Sequence, residues 1–158
     1  MSVTKDLTAL FSRDLSKLSR EIAAFPDDET LWRTVPGITN AAGNLALHLE
    51  GNLLEFVGRQ LGNLPYTRAR ELEFSQKGIG RDELVARMAE LQRTIPAVID
   101  GLSSVQMEAE YPQTVFEKPM STRHFLIHLY GHLNWHLGQI DYLRRVLTGD
   151  GAIGRPAV

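Results

Sequence analysis

The chain has 158 residues, no cysteine, and 17 Lys+Arg against 19 Asp+Glu, a formal net charge of −2. That length suits one domain with a buried core, and a hydrophobic fraction of 43% separates it from disordered chains. The missing cysteines exclude a disulfide framework, a thiolate metal site and a thiol nucleophile of the protein's own, and the charge balance offers no basic surface for nucleic acid.

The first residues, Met1 to Asp6, are polar and lack the apolar core of a secretory signal. No stretch approaches the roughly 18 apolar residues of a membrane span. A cytoplasmic protein that avoids membranes and nucleic acid is the expectation, as one domain over 1–158 with its core at about 3–148 and a loose tail from 149 to 158. The first helix shows in Leu7, Phe11, Leu15, Leu18, Ile22 and Phe25, spaced by threes and fours. Pro26 and Asp27-Asp28-Glu29 end it, and a connector from Thr30 to Thr39 turns at Pro36-Gly37. Asn40 is the expected N-cap of a second helix over 41–62, striped by Leu45, Leu49, Asn52 and Phe56 and closed by Gly62-Asn63.

Residues 63–80 read as a long loop, of the kind that often carries function. The third helix starts at Arg81-Asp82-Glu83 and carries Leu84, Met88, Leu91, Ile95, Val98 and Leu102 on one face. Pro96 lies inside that stripe and predicts a kink. Residues 103–120 read as irregular; Ser121 then caps a fourth helix over 122–148 that Gly149 and Gly151 stop. No segment alternates as a strand would. The expectation is an all-α four-helix bundle.

Four of the five histidines, His124, His128, His132 and His136, fall one helical turn apart on the last helix. At about 100° per residue, with His132 at zero, Phe125, Leu129, Ile140, Leu143 and Leu147 span about 20° to about 80°. His136 falls at about 40°, amid that span, and His132 at its inward edge. His128 falls at about −40° and His124 at about −80°, toward solvent. Two inward imidazoles at i,i+4 can share one metal ion, or can each be a hydrogen-bonded core residue. The remaining histidine, His48, sits on the shoulder of the second helix's stripe and is the candidate third ligand. Three protein ligands leave a position open, the pattern of catalytic zinc. No Glu-x-x-His and no His-Glu-x-x-His occurs, so neither a di-iron carboxylate bundle nor a zincin fits.

The string from His128 to Ile140, with His132, His136, Gly138 and Gln139, resembles the last-helix signature of the DinB/YfiT-like superfamily. Arg144-Arg145, the segment Gly43–Leu49 around His48, Leu31-Trp32-Arg33 and Pro36-Gly37 also resemble common members. The resemblance implies a four-helix bundle, often a homodimer, with a divalent metal on His48, His132 and His136. It further implies thiol-dependent transferases and isomerases among the relatives, working with bacillithiol or mycothiol. A chain without cysteine would take such a thiol from outside.

The leading expectation is therefore a metal-dependent S-transferase acting on a small molecule with a low-molecular-weight thiol. The alternatives are a metal-dependent hydrolase and a non-catalytic bundle of the stress response that binds metal or a small ligand. Three imidazoles suit zinc first and nickel second. Asn52, Gln139 and His128 are candidates to orient the ligands, each with a plain structural alternative. Tyr66, Arg68, Arg70 and Glu73 read as a solvated loop sooner than as the mouth of a pocket. Trp135, at about −60° on the same wheel, is either core or a dimer contact.

Overall fold

Helix α1 (Val3–Ala23) begins where the Ser2 hydroxyl accepts from the Lys5 amide, 3.4 Å away. Its apolar stripe is buried along its length, with Phe11, Leu15, Leu18 and Ile22 fully enclosed. Each such side chain contributes about 1.5–3 kcal/mol on leaving water. The computed structural model describes residues 2–153; the tail expected over 149–158 is described only as far as Ile153, and its remainder lies outside the described residues.

A one-turn helix, α2 (Asp28–Leu31), interrupts the expected connector, because Asp27 accepts from the Thr30 amide and starts a turn. It drives Leu31 and Trp32 into the core, and the Trp32 indole donates to Ile79 O at 2.9 Å. Helix α3 (Ala42–Leu53) is enclosed on every side. Its N-cap is Ala41, which offers no side-chain acceptor, not the expected Asn40. The helix then widens into a π-helical stretch, Leu54–Arg59, before a last turn, α4 (Gln60–Gly62). Such insertions loosen the backbone pairing, and here the Tyr111 hydroxyl donates to the freed region at Phe56 O, 2.6 Å away. The chain leaves through Asn63, which is left-handed at φ 52°.

Two expected loops are partly helical. The 63–80 segment contains α5 (Arg70–Ser75), and the 103–120 segment contains α7 (Ser104–Glu108), opened by a capping box of Ser103 and Gln106. Between them, α6 (Arg81–Asp100) runs unbroken through the buried Pro96. Helix α8 (Thr122–Thr148) starts at the expected Ser121 cap and ends at Gly149, left-handed at φ 77°. The long helices α1, α3, α6 and α8 form the bundle, with α1 packed chiefly on α6. Among the described residues there is no strand, only an isolated bridge between Glu110 and Ser121. Among the described residues no helix is long and apolar enough to cross a membrane.

The buried stripe of α8 is wider than the histidine arithmetic assumed. It also includes Leu126, Leu133 and Leu137, which lie at about 100° to about 140° on the same wheel. The stripe's centre therefore shifts away from the histidines. His132 and His136 are half-buried at its flank, not in the middle of the core.

Candidate metal centre

Asn44, His48 and Gly51 occupy positions i, i+4 and i+7 of α3 and share one face. Helix α5 lies across that face. The Asn44 side-chain amide donates to Glu73 O at 3.1 Å and to Gln76 O at 2.8 Å, which fixes the C-terminal half of α5. Gly51 lets it approach: a Cβ there would stand 2.1 Å from Glu73 Oε1. A mid-helix glycine costs about 1 kcal/mol against alanine, and here its missing side chain is the space the carboxylate fills.

Glu73 is thereby buried against His48. Its Oε2 accepts from His48 Nδ1 at 2.8 Å, while Arg68 donates from Nε at 2.6 Å and from Nη2 at 2.9 Å. Burial alone would raise the carboxyl's pKa, but the hydrogen bonds from His48 and Arg68 outweigh it and hold Glu73 below the usual carboxylate range. A carboxylate on Nδ1 keeps the proton on that nitrogen and leaves the Nε2 lone pair of His48 free. The Phe74 ring packs 4.9 Å from the His48 ring and limits its rotation.

His48 Nε2 lies 3.1 Å from His132 Nε2, and His136 Nε2 lies 3.2 Å from the same atom. The ligand atoms of all three rings fall within 4.8 Å of one another. His136 is oriented as His48 is, since its Nδ1 donates to Gln139 Oε1 at 2.7 Å. Two of the rings thus present bare Nε2 atoms. The third, His132, has a buried Nδ1 with no hydrogen-bond partner. Whichever nitrogen of His132 carries its proton, one proton cannot satisfy three converging nitrogens. A cation at their meeting point can. The 3.1 and 3.2 Å separations approach the edge of about 3.3 Å set by metal–nitrogen bonds of about 2.0–2.1 Å in a tetrahedron.

Electrostatics favour the same form. Burial, reinforced by His136 and His48, lowers the pKa of His132 to about 4. Burial also lowers His136, against the opposing pull of Gln139. Both stay neutral near pH 7, and neutral imidazole is the ligand form.

Beside His48 and His132 opens a cavity of about 270 Å³. Phe56, Val115, Phe116 and Phe125 give it an apolar wall, and Arg68, Arg70 and Asn52 a polar one. Asn52 is only 8% exposed, and its Oδ1 has no hydrogen-bond partner. A neighbouring cavity of about 500 Å³ shares Phe56 and Arg68 and adds Tyr66.

The structure brings His48, His132 and His136 together and puts Gln139 on one of them. Asn52 touches no ligand ring through a hydrogen bond but faces the cavity. His128 is exposed and stacks on Phe125 at 5.9 Å, with Phe116 edge-on at 4.9 Å, so it forms part of the wall. His124 is exposed at the helix start, and Trp135, at 70% exposure, is not a core residue. The solvated reading of 63–80 is overturned for Glu73 and Arg68, which are drawn in by the α3 face, whereas Arg70 stays exposed. Sequence reasoning missed Glu73, Arg68, Asn44 and Gly51 as a unit. The legible signal was the Asn44–His48–Gly51 spacing, a stripe too polar and too small for an ordinary core face.

Two solved structures share this architecture. A DinB-like protein from Bacillus cereus ATCC 10987 matches with a TM-score of 0.72 and 15% identity over 95% of each chain. The chain has a DinB-like fold. A conserved protein from Enterococcus faecalis matches at a TM-score of 0.67 and 15% identity, over 95% of this chain and 99% of its own. No protein-family model and no curated protein matches. At such identities the likeness establishes the DinB-like fold, and the site must be argued from its own atoms.

Proposed function

We propose that the chain binds one divalent metal ion, zinc first and nickel second, through His48, His132 and His136, and uses it in an S-transferase reaction with an external thiol. The convergence of three Nε2 atoms, two of them oriented by hydrogen bonds at Nδ1, carries this reading. A divalent ion there would supply Lewis acidity, favouring the thiolate of a bound thiol.

The protein's own groups have distinct tasks. Glu73 holds His48 in the right tautomer, and Arg68 keeps that carboxylate ionised and in place. Gln139 does the same for His136 without a charge. The apolar wall offers a surface for the body of a small molecule. The choice of thiol over water rests on what lines the cavity: among the described residues no carboxylate does, and His128 is held against Phe125 and Phe116. A metallohydrolase usually needs a general base such as the glutamate of His-Glu-x-x-His. A thiol, with a pKa of about 8.5, needs far less help to ionise than water.

Metal analysis of tag-free protein should find close to one ion per chain. A screen of small thiols against electrophiles should then consume thiol and electrophile together. Product formed from the electrophile with water in place of the thiol would favour the hydrolase, and metal binding without turnover would favour a binding protein.

A further inference from the structure

The cavity beside the histidines holds two unanswered features: a charge and an acceptor. Three neutral imidazoles cancel none of a divalent ion's charge. Glu73 is matched by Arg68, Glu55 by Arg59, and Glu50 by Arg87. Arg70 has no such match; among the described residues its guanidinium has no hydrogen bond or ion pair and stacks 5.4 Å from the Phe74 ring centroid. Phe74 in turn packs on His48. Arg70 therefore sits one ring away from the histidine cluster, on the rim of its cavity, with its donors free. The acceptor is Asn52 Oδ1, buried and unpartnered. A buried carbonyl oxygen without a donor costs about 1–3 kcal/mol, a cost that a ligand with an N–H or O–H would remove.

From these we infer that the cavity takes a small carboxylate-bearing ligand, its carboxylate on Arg70, a hydrogen-bond donor on Asn52 and its apolar body against Phe56, Phe116 and Phe125. The inference rests on the metal reading above for where the thiol end lies, but not for the carboxylate. The guanidinium supplies a planar pair of donors to a carboxylate. The ring of Phe74 beneath it limits the directions it can take. Arg70 and Asn52 would then decide which molecules bind, while the histidines decide what is done to them.

N-benzoylcysteine and its primary amide are the probes. Both carry the thiol, the amide N–H and the phenyl group, and only the first carries a carboxylate. Calorimetric titration of the metal-loaded protein should show the acid binding about tenfold more tightly than the amide. Arg70→Gln should bring the two within about twofold by weakening the acid alone. Asn52→Leu should weaken both about tenfold and leave their ratio unchanged. Metal content is measured on every sample. Equal binding of acid and amide, a ratio that survives Arg70→Gln, or failure of both probes to bind fully loaded protein would overturn the inference and leave the histidine site standing. Protein that takes up no metal yet keeps the acid preference, and loses it in Arg70→Gln, would overturn the metal reading and support the carboxylate site.

Discussion

Two polar clusters on helix α8 are completed in opposite ways. Toward its C-terminus Arg144, 1% exposed, donates from Nε to the fully buried Glu21 at 2.7 Å and from Nη2 to Gly151 O at 3.0 Å. Asp141 adds a longer contact at 3.4 Å. One Glu21 oxygen lacks a donor, but the charges cancel inside the protein. Two to three turns earlier, His132 and His136 meet His48 with three nitrogens directed at one another and nothing of the protein's own to answer them. The first cluster ties α1 to α8 and is closed. The second is held in shape from behind, by Glu73, Arg68 and Gln139, and is open in front. Groups arranged for folding alone would be expected to look like the first.

The sharpest way to break that contrast is His132→Leu. It should abolish stoichiometric metal binding, measured by elemental analysis after reconstitution. It should change the melting temperature of metal-free protein little, because losing the Nε2 contacts to His48 and His136 is set against removing a buried Nδ1 that has no partner. At the closed cluster the opposite holds. Arg144→Ala should cost about 3–5 kcal/mol in denaturant unfolding by leaving Glu21 buried and unpaired. The double variant Glu21→Leu/Arg144→Met should recover most of that loss. Metal content should remain at one per chain wherever either protein is folded.

A smaller effect tests the support behind the ligands. Glu73→Gln keeps the shape but not the charge, and should weaken metal binding about 10- to 100-fold in competition with a chelator. Gly51→Ala should do likewise, since its new methyl group occupies the place of the Glu73 carboxylate. This support was the part of the site that the sequence hid. The four long helices, their caps at Ser121 and Gly149, and the pairing of His48 with His132 and His136 all follow from spacing. Helix α5 does not, because six residues hold too little of a 3.6-residue period to register. Glu73 in a run of charges reads as solvated until α3 is seen to offer it Asn44, His48 and Gly51. The inward tilt of the histidines was also overstated, since Leu126, Leu133 and Leu137 widen the core face on the side away from them.

Acid should act on the open cluster with a defined sign. In the unfolded chain His132 takes up a proton near pH 6.5, and in the folded protein only at about 4. Between those values the unfolded state binds the extra proton, so the stability of metal-free protein falls as pH drops through the window. Thermal melts from pH 7 to 4 should show this slope, and His132→Leu should reduce it, leaving the part that belongs to His136. A slope unchanged in His132→Leu would assign the titration to other groups.

The smallest expected effect is as informative as the largest. His124 shares α8 with His132 and lies two turns before it, but on the wheel it is about 80° away and in solvent. It makes no ligand contact, and its amide is capped by the Ser121 hydroxyl at 3.2 Å whatever its side chain. His124→Ala should therefore leave metal content unchanged and shift stability by no more than about 0.5 kcal/mol. Equal loss of metal in His124→Ala and His132→Leu would mean that the ion is held by the histidine-rich helix at large and not by the three nitrogens that meet between α3 and α8.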